Sequence, residues 1–227
     1  MPDYANTLTR VEDYFDRTAT KTWERLTSDA PVSKVRETVR AGRDRMRDVM
    51  LSQLPTDLSG QRVLDAGCGA GQMTIELAKR GAQVTAVDIS PSLVEIAQKR
   101  LPREFAKQVT FQSGDMLCDT RGTFDHVLAM DSLIYYEAHD IGDILAKLSP
   151  RVGSSVVFTV APRTPFLMTF WGLGKLFPRA DRSPTMIPHA PVKLAAAART
   201  AGAKGHLREV ERITSGFYIS TALEFAT

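Results

Sequence analysis

Residues 63–71 read V-L-D-A-G-C-G-A-G: an apolar run that ends in an acid, Asp65, and then three glycines at alternate positions, Gly67, Gly69 and Gly71. Helix-forming residues follow from Gln72. A strand that turns straight into a helix needs glycine where the backbone bends tightly or where a ligand comes close, because a Cβ would collide there. The stretch therefore commits the chain to a strand–turn–helix unit with a nucleotide-sized pocket at the turn. The dinucleotide pattern is G-x-G-x-x-G. Here the spacing is G-x-G-x-G, and Gln72 stands where the last glycine would fall. Against ligand approach stands an ordinary strand-to-helix turn, with Asp65 a turn acid for local amides.

The rest of the chain repeats this alternation. Short β-branched runs at 62–66, 84–89, 109–112, 126–130 and 155–160 predict strands, with helices at 72–80, 92–101 and 141–148 between them. Such a series implies a parallel sheet covered by helices on both faces. Ligands then lie beyond the carboxyl ends of the strands, where strand order reverses. The glycine turn, Asp88, Asp115 and residues 130–136 all fall at those ends. Ahead of this series, residues 4–54 read as helical and basic, with Val35, Val39, Met46, Val49, Met50 and Leu54 at helical spacing and Ser33 as a cap. Arg36, Arg40, Arg43, Arg45 and Arg47 cover the remaining surface as a solvated face. The P-T-D-L-S-G stretch at 55–60 sets a boundary: an N-terminal arm, 1–57, and an α/β domain, 58–227. Residues 161–191 interrupt the alternation with an aromatic, proline-rich insert. A helix at 192–200 and strands at 208–214 and 217–225 close the chain.

Composition excludes rather than assigns. A net charge of +3 over 227 residues gives no electrostatic footprint for nucleic acid. No run approaches the roughly 20 apolar residues of a spanning helix, and the acidic, interrupted N-terminus is not a signal peptide; both point to the cytoplasm. Two cysteines, Cys68 and Cys118, and four histidines form no metal-ligand spacing.

The spacing of Asp65, Gly67, Gly69 and Gly71 resembles motif I of the class I S-adenosylmethionine (SAM) methyltransferases. That resemblance implies a doubly wound, seven-stranded, mostly parallel α/β sheet ending in an antiparallel hairpin. It places the Asp65 carboxylate near the cofactor's amino group. Asp88, 17 positions beyond Gly71, is either a ribose ligand, with Ile89 on the adenine, or a cap for the helix that Pro91 opens; Ser90 is free to cap while Asp88 binds. Asp115, with Met116, resembles the acidic motif that holds the adenine amino group; alone it would be a turn residue. Met130 and the tyrosines behind it fall where these enzymes carry out transfer, although Tyr135 or Tyr136 would equally serve as a core aromatic. The N-P-P-[FYW] signature of base methylation is absent.

A wider set of segments resembles the magnesium-protoporphyrin IX O-methyltransferase family of bacteriochlorophyll biosynthesis: V-E-D-Y-F-D-R-T-A at 11–19, D-A-G-C-G at 65–69, A-M-D-S-L-I-Y-Y at 129–136, K-L-F-P at 175–178 and F-Y-I-S at 217–220. The resemblance implies methyl transfer from SAM to a propionate of magnesium-protoporphyrin, with S-adenosylhomocysteine (SAH) as product and magnesium present only within the substrate. A propionate, ionised at pH 7, needs no strong general base. Tyr14 and Tyr135 are then the candidates to orient it, with His139 the nearest histidine. Relatives from oxygenic phototrophs resemble L-I-H-Y in this region, which argues against an obligatory imidazole. The insert offers Phe166, Phe170 and Trp171 to a flat apolar ring and Arg163 to its carboxylates; the same composition suits a helix lying on a membrane surface. The resemblance also implies the magnesium chelatase large subunit as a delivery partner. The competing readings are a methyltransferase of another small apolar acceptor, such as a quinone precursor or lipid, and a non-catalytic SAM-binding regulator.

Overall fold

The computed structural model describes residues 2–16, 27, 33–163, 184 and 186–227. The predicted strands form, most of them one to three residues longer or shifted at an end: β1 (Arg62–Ala66), β2 (Gln83–Asp88), β3 (Val109–Ser113), β4 (Phe124–Ala129) and β5 (Val152–Pro162). The order is β3-β2-β1-β4-β5, all parallel, so the sheet reverses direction of growth between β1 and β4. The late strands, β7 (His206–Ser215) and β8 (Tyr218–Ala226), add an antiparallel hairpin, with β8 against β5. This seven-strand path matches the expected sheet. An eighth strand, β6 (Pro188–His189), pairs in parallel with the end of β5 and lies inside the region read as insert.

Helices cover both faces. α1 (Pro2–Tyr14) and α2 (Lys34–Leu51) come from the N-terminal region; α3 (Gln72–Lys79), α4 (Pro91–Arg100), α5 (Ala138–Leu148) and α6 (Pro191–Thr200) follow strands. Ser33 caps α2 through the Arg36 amide, and Ser90 caps α4 through the Leu93 amide, with Pro91 in the first turn. Met46, Met50 and Leu51 of α2 are buried in one core with Val63, Cys68, Met73 and Leu77. Val35, expected on that apolar stripe, is half exposed at the first turn. The second core packs α1 residues Tyr4 and Val11 with Leu133, Tyr136 and Ile141. Both cysteines are free thiols. No described helix is long and apolar enough to cross a membrane.

Candidate active site

A cavity opens where the sheet order reverses, beyond the carboxyl ends of β1, β2 and β4. On one side it is lined by Asp65, Gly67, Cys68, Gly69, Asp88 and Ile89, with Met116 and Met130. Leu8, Val11, Phe15, Arg43, Tyr135 and Tyr136 line the other.

The glycine turn divides its labour. Gly67 and Gly69 line the cavity, but a Cβ on Gly67 (φ +85°) would lie 2.4 Å from the Ser132 Cβ. Gly71 (φ +84°) is not in the lining, and its Cβ would meet the Ala97 Cβ of α4 at 3.0 Å. The expectation that all three glycines serve ligand approach is corrected: Gly71 lets α3 pack against α4, and Gly67 admits the loop after β4.

The two acids hold that turn from beneath. Thr74 Oγ1 donates to Asp65 Oδ2 at 2.5 Å, and burial pushes the Asp65 carboxyl up to about 7 against the opposing effect of that bond. Asp88 accepts from the Gly69 amide at 2.8 Å and from the Ser90 amide at 2.9 Å. Burial lifts it to about 6, and those amides limit the rise. Asp88 thus organises both turns while it lines the cavity. Asp115 is different. Its Oδ1 accepts from the Tyr4 hydroxyl at 2.5 Å and from the Leu117 amide at 2.9 Å; the residue itself is absent from the lining, which Gly114 and Met116 supply. The acid expected at the adenine holds α1 in this structure.

Of the catalytic candidates, Tyr135 alone reaches the cavity. It is buried on a short 3-10 turn after β4, and burial pushes its phenol well above the ordinary value. Phe15 packs on it edge-on, with ring centroids 6.2 Å apart. Tyr14 meets Phe15 at 5.2 Å and is not in the lining, although its phenol is close enough to help raise that of Tyr135; the arm lines the cavity with Phe15. His139 lies outside the cavity on the first turn of α5, its side chain 64% exposed beside Asp140. Arg163 is exposed, and its amide donates to the His189 carbonyl at 3.1 Å. Phe166, Phe170 and Trp171 lie outside the described residues.

Sequence reasoning missed the charged pair on the far wall. Arg43, placed on a solvated face, is ion-paired with Asp131, and both line the cavity; their side chains are 13% and 8% exposed. Gly42, inside a helix where glycine is costly, was the available signal. Arg47 also lines the cavity, paired with Asp44 at 2.8 Å, and its Nε has no hydrogen-bond partner among the described residues.

These residues fit SAM. The wall of Asp65 and Asp88 offers buried carboxylates to a cation and to ribose hydroxyls, while Ile89, Met116 and Met130 supply apolar contact for adenine.

The comparisons agree with this geometry. A family model described as magnesium-protoporphyrin IX methyltransferase C-terminus matches residues 129–227, and one described as a methyltransferase domain matches 63–152. The chain is 60% identical to the magnesium-protoporphyrin O-methyltransferase of Rhodobacter capsulatus over 227 residues, covering 99% of each. It is 32% identical to the enzyme of that name from Synechocystis over 185 residues, 80% of each. A crystal structure of magnesium protoporphyrin IX methyltransferase from Synechocystis with bound SAH superposes with a TM-score of 0.82 at 30% identity, covering 96% of this chain and 98% of that one.

Proposed function

The chain belongs to the magnesium-protoporphyrin O-methyltransferase family, and from that membership we propose that it moves the methyl group of SAM onto a propionate carboxylate of magnesium-protoporphyrin IX. It is a SAM-dependent O-methyltransferase of chlorophyll-type biosynthesis. SAM, when bound, supplies a methyl group on a positively charged sulfur. Asp65, Gly67, Gly69, Asp88, Ile89, Met116 and Met130 would hold it, on the strength of their place in the lining. The carboxylate oxygen takes the methyl carbon as the carbon–sulfur bond breaks, and the bonding pair stays on sulfur, which leaves neutral SAH and a methyl ester. No proton moves.

The observation that carries the carboxylate acceptor is Tyr135. Its buried phenol lines the cavity and stays protonated across the neutral range. It can therefore donate a hydrogen bond to an acceptor oxygen but cannot serve as a base, and a propionate requires none. Phe15, Val11 and Leu8 close the same wall with apolar surface, which keeps water from an oxygen that must be partly bare to react. α1 and α2 act on this reading as an arm over the site, through Leu8, Val11, Phe15, Arg43 and Arg47. An acceptor this flat and apolar would be handed over by a protein such as the magnesium chelatase large subunit, with the enzyme in the cytoplasm beside a membrane surface. Arg163 and the aromatic residues behind it would receive it.

The test is incubation with magnesium-protoporphyrin IX and methyl-labelled SAM. Labelled monomethyl ester is the expected product. Its absence, at protein concentrations that bind SAH, would overturn the acceptor.

A further inference from the structure

On the acceptor side of the cavity, three distant elements converge on one carboxylate. Asp131, the residue after Met130, sits at φ +55° and is the single non-glycine with positive φ among the described residues. Its amide donates to Thr159 Oγ1 at 2.7 Å, and that hydroxyl donates back to Asp131 Oδ1 at 3.1 Å. The Tyr218 hydroxyl donates to the same oxygen at 3.1 Å, and Arg43 Nη1 pairs with Oδ2. Tyr218 and Arg43 meet there because α2 lies unusually close to β8. A Cβ on Gly42 would fall 2.7 Å from Tyr218 Cδ1 and 2.9 Å from the Ser215 Cβ. Glycine inside a helix is destabilising relative to alanine, so this approach has a cost in stability. A buried ion pair returns little net stability in exchange. What the cluster achieves is placement of a guanidinium in the cavity wall beside Tyr135.

We propose that Arg43 receives the acceptor's carboxylate, and that Asp131, Thr159 and Tyr218 are positioning residues that fix its guanidinium beyond the carboxyl end of β4. This rests on the carboxylate reading above and names the residue that serves it. A guanidinium carries five N–H donors in a planar fork and keeps its charge at any working pH, which matches it to a carboxylate. The holder also matters chemically. A bare cation against the reacting oxygen would withdraw the electron density that attacks the methyl carbon. An arginine shared with Asp131 orients the oxygen while its charge is already partly neutralised.

The experiment compares magnesium-protoporphyrin IX with its dimethyl ester, titrated by porphyrin fluorescence against the SAH-loaded protein. The wild-type protein is expected to bind the diacid about 10-fold or more tightly than the diester. Arg43→Gln should abolish that preference and raise the porphyrin KM by about 10- to 100-fold with SAH affinity unchanged. Arg43→Lys should recover part of the preference. Asp131→Asn keeps hydrogen-bonding atoms but removes the charge, and should raise KM more than it lowers kcat. Equal binding of diacid and diester by the wild-type protein would overturn the proposal, even if Arg43→Gln failed to fold. So would Arg43→Gln with weakened SAH binding and an intact diacid preference. Ester formed by wild type with an unchanged KM in Arg43→Gln sinks the assignment of Arg43 alone; no ester from wild type sinks the acceptor itself.

Discussion

On the cofactor wall, the hydrogen bonds that the two acids make to the glycine turn and its helix join residues close in sequence: Thr74 to Asp65, nine positions apart, and Gly69 to Asp88, 19 apart, with Gln72 to Thr27 across 45 as a longer tie. On the acceptor wall they join Arg43 to Asp131 across 88 positions, Tyr218 to Asp131 across 87 and Tyr4 to Asp115 across 111. The glycine turn and its two acids are a property of one strand–turn–helix–strand unit. The acceptor wall exists only when the arm, β4, β5 and the final hairpin are all in place. The glycine turn thus depends mainly on local geometry, and the opposite wall of the cavity depends on the assembled fold.

The largest test of this contrast falls where the walls touch. A Cβ on Gly67 would strike Ser132, which follows Asp131 on the acceptor side. Gly67→Ala combines left-handed backbone strain of about 1–2 kcal/mol with overpacking of about 1–3 kcal/mol. We expect a stability loss of about 2–5 kcal/mol by urea denaturation and loss of SAM binding. Ser132→Gly should restore the overpacking part and leave the strain. Gly71→Ala, which meets Ala97 instead, should be indifferent to Ser132→Gly. A double mutant no better than Gly67→Ala alone would mean that the walls do not meet through this contact.

The difference in range also explains what was legible in the sequence. β-branched runs, glycines and strand-end acids are local signals, and they located β1 to β5 within about three residues and put Asp65 and Asp88 in the lining. Periodicity along α2 identified Met46 and Met50 as buried. It could not separate Arg43 from the exposed Arg36 and Arg45, because an arginine on a polar helix is assigned to water or to a cavity by whatever packs beside it. Thr159 carries no motif, and Tyr218 sits within the F-Y-I-S segment at 217–220, which marks a family resemblance but names no partner for the phenol. Gly42 alone marked the close approach. Asp115 shows the converse error: its position at a strand end was right, while its partner, Tyr4, could not be read from 111 residues away.

A smaller effect sharpens the electrostatic side of the cofactor wall. Burial raises Asp65 to about 7 and Asp88 to about 6, above the ordinary carboxyl value of about 4. A carboxyl raised on folding binds more protons in the folded state. Its stabilising contribution is therefore complete below about pH 4 and is lost as pH rises through 6 to 7. The melting temperature of the ligand-free protein should fall across that window, and Asp65→Asn should flatten the fall. SAM carries a positive sulfur that favours the ionised acids, and SAH does not. The ratio of SAM to SAH affinity should rise by roughly 10-fold between pH 5.5 and 8, measured by calorimetry, the equivalent of one unit of carboxyl shift. A flat ratio would leave the wall acting by shape and hydrogen bonding alone.

The smallest expected effect concerns a residue that belongs to neither wall. His139 is 64% exposed at the start of α5, with Asp140 Oδ1 at 3.6 Å. The imidazole is exposed while the Asp140 side chain is buried, their 3.6 Å separation is too long for a hydrogen bond, and the imidazole is outside the cavity lining. His139→Ala should change stability by no more than about 0.5 kcal/mol and turnover by less than about twofold, with an unaltered pH profile. Tyr135→Phe offers the contrast, since it removes a phenolic donor that lines the cavity after β4; it should lower kcat/KM by about 10-fold while SAH affinity holds. A tenfold loss in His139→Ala would bring the N-terminus of α5 into the working site. The acceptor wall would then extend past β4 when the porphyrin is bound, and long-range assembly would govern even more of it than the free protein reveals.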